Sequence, residues 1–286
     1  MTSPTQTAKT TIQVALGLVV LKIGAFLATG SSGVLGSTLD SILDVLASIL
    51  VFWAVTTAIQ PADADHPWGH GKAEALASLF QSLLILTSGL GLGFHAVSRF
   101  LSPNPRLAME GVGIAVMLVS TLATLWLVRR LRKAAQSTGS PALHADSAHY
   151  ASDILTNLAV IAGLIVSTIL EGAVWPDLMV GVAIALLILN TAREIFLESV
   201  DMLMDRGLQA GEEAAVLQAV LQFGPNVLGF HDLRTRRSGA HIFLELHLDL
   251  QRNLSFIEAH DLSEEVGLAI EQAVPRCEVT VHADPI

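Results

Sequence analysis

Apolar positions dominate the first two thirds of the chain and come in long stretches separated by short polar breaks. A helix needs roughly 20 mostly apolar residues to cross a hydrocarbon core about 30 Å thick. Six stretches meet that length: Thr11–Ala28, Leu39–Ile59, Glu74–Phe100, Ala108–Leu131, Tyr150–Leu170 and Leu178–Leu197. The breaks carry helix-stopping residues: Gly30-Ser31-Ser32-Gly33, Pro61, Pro103 with Pro105, Gly139-Ser140-Pro141, and Pro176. The third and fourth stretches are long enough to tilt in a bilayer or to project from it. Lys9, Lys72, the cluster Arg129, Arg130, Arg132 and Lys133, then Arg193 and Arg206 fall on one side of such a bundle, and only Arg99 and Arg106 on the other. Positive charge concentrates on the cytoplasmic side of membrane proteins, so both termini are expected in the cytoplasm.

After Arg206 the period changes. Glu212–Phe223 reads as an amphipathic helix. Phe230–Arg237 and His241–Leu250 read as strands joined by a Ser238-Gly239 turn. Ser255–Val274 reads as a second helix, with Ser255 and Glu258 spaced as a capping box, and Cys277–Ala283 as a last strand. The order αββαβ predicts a small α+β sandwich with its helices on one face of a mixed sheet. The expected organisation is a six-helix transmembrane transport domain over 1–206 and a cytoplasmic metal-binding and dimerisation domain over 207–286.

Composition agrees. The chain is 52% hydrophobic and only 15% charged, with mean hydropathy +0.58, whereas soluble domains carry about 25% charged residues. A net charge of −10 leaves no basic face for nucleic acid. The single cysteine, Cys277, excludes an internal disulfide and suits a cytosolic location for the polar part. From Arg206 to Ile286, 12 acidic residues outnumber 6 basic ones.

The chemistry lies where the apolar stretches break their own rule. Asp40 and Asp44 are spaced i, i+4, and so are His149 and Asp153, which puts each pair on one helix face. A carboxylate at mid-bilayer costs about 2.5–3.5 kcal/mol on insertion scales. The polar stripe runs on through Ser37, Ser41 and Ser48 on one helix and Asn157 on the other. Three carboxylates and one imidazole make an oxygen and nitrogen set suited to Zn2+. The plainer alternative is a set of interhelical hydrogen bonds or a water cavity. Lys22 is the nearest cation, and its long stem would let it snorkel to the interface. Asp63, His66 and His70 offer three more ligands within one loop, against the alternative of a solvated polar loop. In the cytoplasmic part, alternation sends Ile242, Leu244, Leu246 and Leu248 one way, and His241, Phe243, Glu245, His247 and Asp249 the other. Val279 and Val281 then face the core, leaving His282 and Asp284 free to meet His247. A solvated face and a metal site both fit that sorting.

These residues together resemble the cation diffusion facilitator family, in particular its bacterial zinc and iron efflux branch. The resemblance runs from about residue 10 to 286. It rests on Leu39-Asp40-Ser41-Ile42-Leu43-Asp44, on Asp63-x-x-His66-x-x-x-His70-Gly71-Lys72-Ala73-Glu74, and on His149-Tyr150-x-Ser152-Asp153. Phe230-His231-Asp232-Leu233-Arg234-Thr235-Arg236 and Val281-His282-Ala283-Asp284-Pro285 complete it. The resemblance implies a homodimer in a bacterial inner membrane that exchanges a divalent metal ion, foremost Zn2+, for protons by alternating access. Fe2+, Cd2+, cobalt and nickel are the alternative cargoes, and a membrane-anchored metal sensor the alternative role. By position it implies a transport site of Asp40, Asp44, His149 and Asp153, and a loop site of Asp63, His66 and His70. It further implies a cytoplasmic site of His231, His247, His260, His282 and Asp284 with structural or regulatory Zn2+, and a Lys72–Asp205 ion pair that holds the dimer at the membrane surface. His241 and His144 depart from the family pattern.

An enzyme is not expected. A catalytic metal site keeps an open position beside three protein ligands, whereas side chains here supply four, and the chain has no His-Glu-x-x-His pair. Nor does it carry the Gly-x-x-x-x-Gly-Lys-[Ser/Thr] loop of a nucleotide-driven pump.

Overall fold

The computed structural model describes residues 3–29, 32–101, 111–169 and 175–286. Gly30, Ser31, Pro103, Pro105, Arg106, the Ala108 start of the fourth stretch and the Leu170 end of the fifth lie outside the described residues. The elements in chain order are α1 (Pro4–Thr29), α2 (Ser32–Ala58), α3 (Lys72–Leu101), α4 (Gly111–Thr138), α5 (Pro141–Ile169) and α6 (Trp175–Leu203), followed by α7 (Ala210–Leu221), β1 (Val227–Ser238), β2 (His241–Leu250), α8 (Phe256–Ala273) and β3 (Cys277–Pro285). Contacts divide the chain into two units, Met1–Pro61 with Ala73–Val200, and Ala62–Lys72 with Asp201–Ile286.

The first unit is helical. Among the described residues, four helices are long and apolar enough to cross a membrane: Pro4–Ala28, Ser37–Ala58, Lys72–Ser98 and Leu178–Leu203. α1 packs on α2 and α4, and α5 packs on α4 and α2. A core of Val51, Ala54, Val55, Ala77, Leu127, Leu131, Leu143 and Tyr150 ties α2 to α5 together. α3 and α6 approach through small residues. A Cβ added at Gly181 would lie 2.7 Å from the Cβ of Ala96, and one added at Gly93 would touch Ala185 at 3.6 Å. Small residues let helix backbones close up where lipid gives no hydrophobic drive to associate.

α5 starts nine residues before the apolar stretch that announced it. Gly139, at φ 70, ends α4. The Ser140 hydroxyl accepts from the Leu143 amide at 3.3 Å, and Pro141 takes the first helical position, where its missing N–H costs nothing. The buried Glu74 of α3 completes the cap. Its carboxylate accepts from the Ser140 hydroxyl and from the Ala142 amide, a negative charge at the positive end of the helix. Apolar length therefore underestimates α5, because His144 and Asp146 interrupt the run without interrupting the helix.

The second unit follows the expected αββαβ order. β1 and β2 are antiparallel, β2 and β3 parallel, and the sheet order is β1-β2-β3. The turn glycine, Gly239, has φ 62, a conformation glycine adopts without strain. Ile242, Leu244, Leu246, Leu248 and Leu250 of β2 are each 3% exposed or less and pack on Val216 and Val220 of α7 and on Val266 and Ile270 of α8. Ser255 caps α8, accepting from the Glu258 amide while Glu258 accepts from the Ser255 amide. The segment Ala62–Lys72 belongs to this unit. Trp68 stacks under the Arg236 guanidinium, 3.7 Å from the ring centre, and meets Phe243 edge-on at 5.3 Å. Gly71 lies so close to the hairpin turn that a Cβ there would be 2.3 Å from the Ser238 carbonyl oxygen.

Candidate metal centre

Inside the helical unit, Asp44 of α2 and His149 and Asp153 of α5 bring one donor atom each within 4.8 Å of one another. His149 Nε2 lies 3.2 Å from Asp44 Oδ1, and His149 is 5% exposed. Two ligands on a tetrahedral Zn2+ at 2.0–2.1 Å stand about 3.3 Å apart, so the separation suits a shared ion as well as a direct bond. One turn on, Ser48 Oγ meets the Tyr150 hydroxyl at 2.8 Å and fixes α2 against α5 beside the trio. Asp40 does not join this group and is solvent-exposed in the single chain. Lys22 does not snorkel. Its ammonium donates to Ser41 Oγ at 2.7 Å and to the Ser37 carbonyl at 3.2 Å, next to the carboxylates.

The helical unit also holds a carboxylate outside the i, i+4 pairs. Asp146 is fully buried, and its Oδ1 accepts from Nε2 of Gln81, itself fully buried on α3, at 3.0 Å. Asp146 Oδ2, Gln81 Oε1 and His149 Nδ1 are buried with no hydrogen-bond partner. The signal was present: Asp146 stands three residues before His149 and seven before Asp153, on the same helix face.

In the loop, Asp63 Oδ1 lies 3.1 Å from His66 Nδ1, Asp63 Oδ2 lies 3.3 Å from His70 Nε2, and the two rings approach to 3.1 Å. Asp63 Oδ1 also accepts from the His66 and Asp65 amides at 2.6 and 3.0 Å, a local turn that presents the carboxylate to both imidazoles. The amide bond from His66 holds the Asp63 carboxyl below its ordinary range. Lys72 Nζ lies 2.9 Å from Asp205 Oδ1 within the one chain.

In the sheet, His231, His247 and His282 stand opposite one another across all three strands. Asp284 sits among them, with Oδ2 2.8 Å from His247 Nδ1 and 3.3 Å from His231 Nε2, and Oδ1 3.3 Å from His282 Nε2. The bond from His247 holds the Asp284 carboxyl low. Two overlapping groups arise, His247-His282-Asp284 and His231-Asp232-His247; Asp232 was not foreseen as a ligand. It sits at φ 49, beside a register shift between His231 and Arg234, an irregularity that strand alternation does not reveal. His260 on α8 joins neither group, and His241 lies at the far end of β2 beside the turn. The Cys277 thiol is pushed up to about 11, first by burial and then by nearby glutamates, so it is a poor thiolate donor at neutral pH.

The profile of the cation efflux transmembrane domain matches residues 9–204, and that of the cation efflux protein cytoplasmic domain matches residues 208–286. A cation-efflux pump FieF of Shewanella oneidensis is 39% identical over 279 residues, which cover 98% of this chain and 93% of that protein. The FieF of Salmonella arizonae is 37% identical over 276 residues, covering 95% and 89%. A solved structure of CzrB is 35% identical over 28% of this chain and 99% of its own, with a TM-score of 0.27.

Proposed function

Because this chain belongs to the cation efflux family, the cation diffusion facilitators, we propose that it exports a divalent metal ion, foremost Zn2+, in exchange for protons by alternating access. The observation that carries this reading is the convergence of Asp44, His149 and Asp153 on one point inside the helical unit. Ionisable groups inside membrane helices are costly and mark ion pathways. Two carboxylates and an imidazole give a nitrogen and oxygen set that Zn2+ accepts and that harder ions favour less.

The exchange follows from ligand chemistry. A metal ligand must be deprotonated, so metal and proton compete for the same atoms. His149 is the group whose ordinary titration lies nearest neutral pH. Loading Zn2+ releases a proton there, and a proton takes its place on the return. Asp40 lies one turn before Asp44 on the same face of α2 and is the candidate for a fourth coordination place in another conformation of the transporter. Six spans in a bacterial inner membrane, with cytoplasmic termini and a homodimer joined through the cytoplasmic domain, complete the reading. His231, His247, His282 and Asp284 then hold regulatory Zn2+, His260 serves only if a second subunit or a rearrangement brings it near, and the Lys72–Asp205 pair steadies the dimer.

The test is uptake into proteoliposomes driven by a pH gradient without nucleotide, with Zn2+, Fe2+, Cd2+, Co2+ and Ni2+ offered separately. Zn2+ flux that collapses with the gradient supports the reading. Flux of no ion, or flux indifferent to the gradient, contradicts it.

A further inference from the structure

Lys22 is a cation in the body of α1, a helix apolar enough to span a membrane. It turns inward to α2. Ser41 Oγ and the Ser37 carbonyl each accept one of its N–H bonds. Those partners flank the acidic site: Ser41 follows Asp40 directly and precedes Asp44 by one turn. Asp44, Asp153 and Asp40 all act on the ammonium electrostatically. Its charge is therefore fixed beside the carboxylates by two neutral acceptors, without forming a direct ion pair that would occupy their oxygens.

That placement has a consequence for charge. Asp40, Asp44 and Asp153, the carboxylates whose charge reaches the ammonium, leave two negative charges with Lys22 when the imidazole and the buried Asp146 are both neutral, the charge that a single divalent cation cancels. Without Lys22 a loaded site would keep a net negative charge inside the membrane, where an uncompensated charge is expensive. Resting on the transport reading above, we propose that Lys22 is the fixed counter-ion of the transport site, a positioning charge that matches the site to divalent cargo and weakens its hold enough to permit release.

The bland alternative is a mechanical staple between α1 and α2, and two substitutions separate them. Lys22→Gln keeps a donor for Ser41 and Ser37 but removes the charge. Ser41→Ala removes one bond and keeps the charge. The measurement is Zn2+ calorimetry on the full chain in detergent, read on the binding component that Asp44→Ala abolishes, together with KM and kcat for Zn2+ flux. Lys22→Gln should tighten that component on the order of tenfold, the effect of removing one unit charge near a divalent ion in a partly screened interior. KM and kcat should fall together as release slows. Lys22→Arg should restore both, and Ser41→Ala should leave affinity within about twofold. Unchanged affinity and kcat in folded Lys22→Gln overturn the proposal, and so does a Ser41→Ala variant that reproduces Lys22→Gln. If Lys22→Gln does not fold, Lys22→Arg decides: affinity and kcat both near wild type support a charge role, and their loss overturns it. A wild-type chain that binds Zn2+ through Asp44 but moves none defeats the transport reading, while the affinity comparison still decides the role of Lys22.

Discussion

The Asp146–Gln81 pair shows how much one side chain decides in the helical unit. One Gln81 N–H serves one carboxylate oxygen, and the remaining two oxygens of the pair are buried without donors. Gln81→Leu strips the last donor from Asp146 and should destabilise the chain by about 1–3 kcal/mol, the cost of a buried polar group left unpaired. Asp146→Asn should be neutral or stabilising, because two primary amides can each donate to the other's oxygen. Thermal unfolding in detergent ranks the variants; a Gln81→Leu midpoint equal to that of the wild type would remove the pair from the account. Residues of this kind were half legible. Asp40 with Asp44 and His149 with Asp153 stood out by i, i+4 spacing, whereas Asp146 has no carboxylate or imidazole four residues away on α5 and lies four residues before the apolar run that starts at Tyr150.

At the scale of elements, the start of α5 sets where His149 and Asp153 point. Glu74, Ser140 and Pro141 fix that start from two helices at once. Glu74→Ala leaves the Ser140 hydroxyl and Ala142 amide without their acceptor and should cost about 1–3 kcal/mol, with Zn2+ affinity falling although no ligand has changed. Calorimetry beside thermal unfolding checks both effects, and full affinity in a destabilised variant would show that the cap does not position the site. α8 offers a cleaner titration. The Ser255 amide bond holds the Glu258 carboxyl below its ordinary value. A depressed carboxylate contributes stability above its unfolded value and loses it as pH falls through the folded one. Amide protection in the first turn of α8, measured relative to the intrinsic exchange rate at each pH, should therefore fall toward acid pH more steeply in the wild type than in Glu258→Gln. Ser-x-x-Glu announced this cap, and strict alternation announced β2 with its buried leucines. Neither rule could foresee Asp232, whose backbone departs from the strand just where its carboxylate turns toward His231.

On the scale of the molecule, the loop Ala62–Lys72 links two chemistries that the sequence left apart. The proposed ligand trio Asp63, His66 and His70 rides on the β1–β2 hairpin through Trp68, Arg236, Phe243 and Gly71. A guanidinium stacked on an indole contributes about 0.5–2 kcal/mol, so Trp68→Ala should weaken Zn2+ binding at the loop by up to about 30-fold while every ligand remains. Zn2+ titration of the Trp68→Ala chain, read on the component lost in His66→Ala, checks this, and an unchanged affinity would make the stack incidental.

The central claim, that cargo passes through Asp44, His149 and Asp153, is tested most directly by initial Zn2+ flux in proteoliposomes for wild type and Asp44→Ala at matched reconstitution. Removing a charged ligand from a buried metal group should abolish pH-driven flux while the chain still folds and inserts. A folded Asp44→Ala chain that moves Zn2+ at the wild-type rate would contradict it.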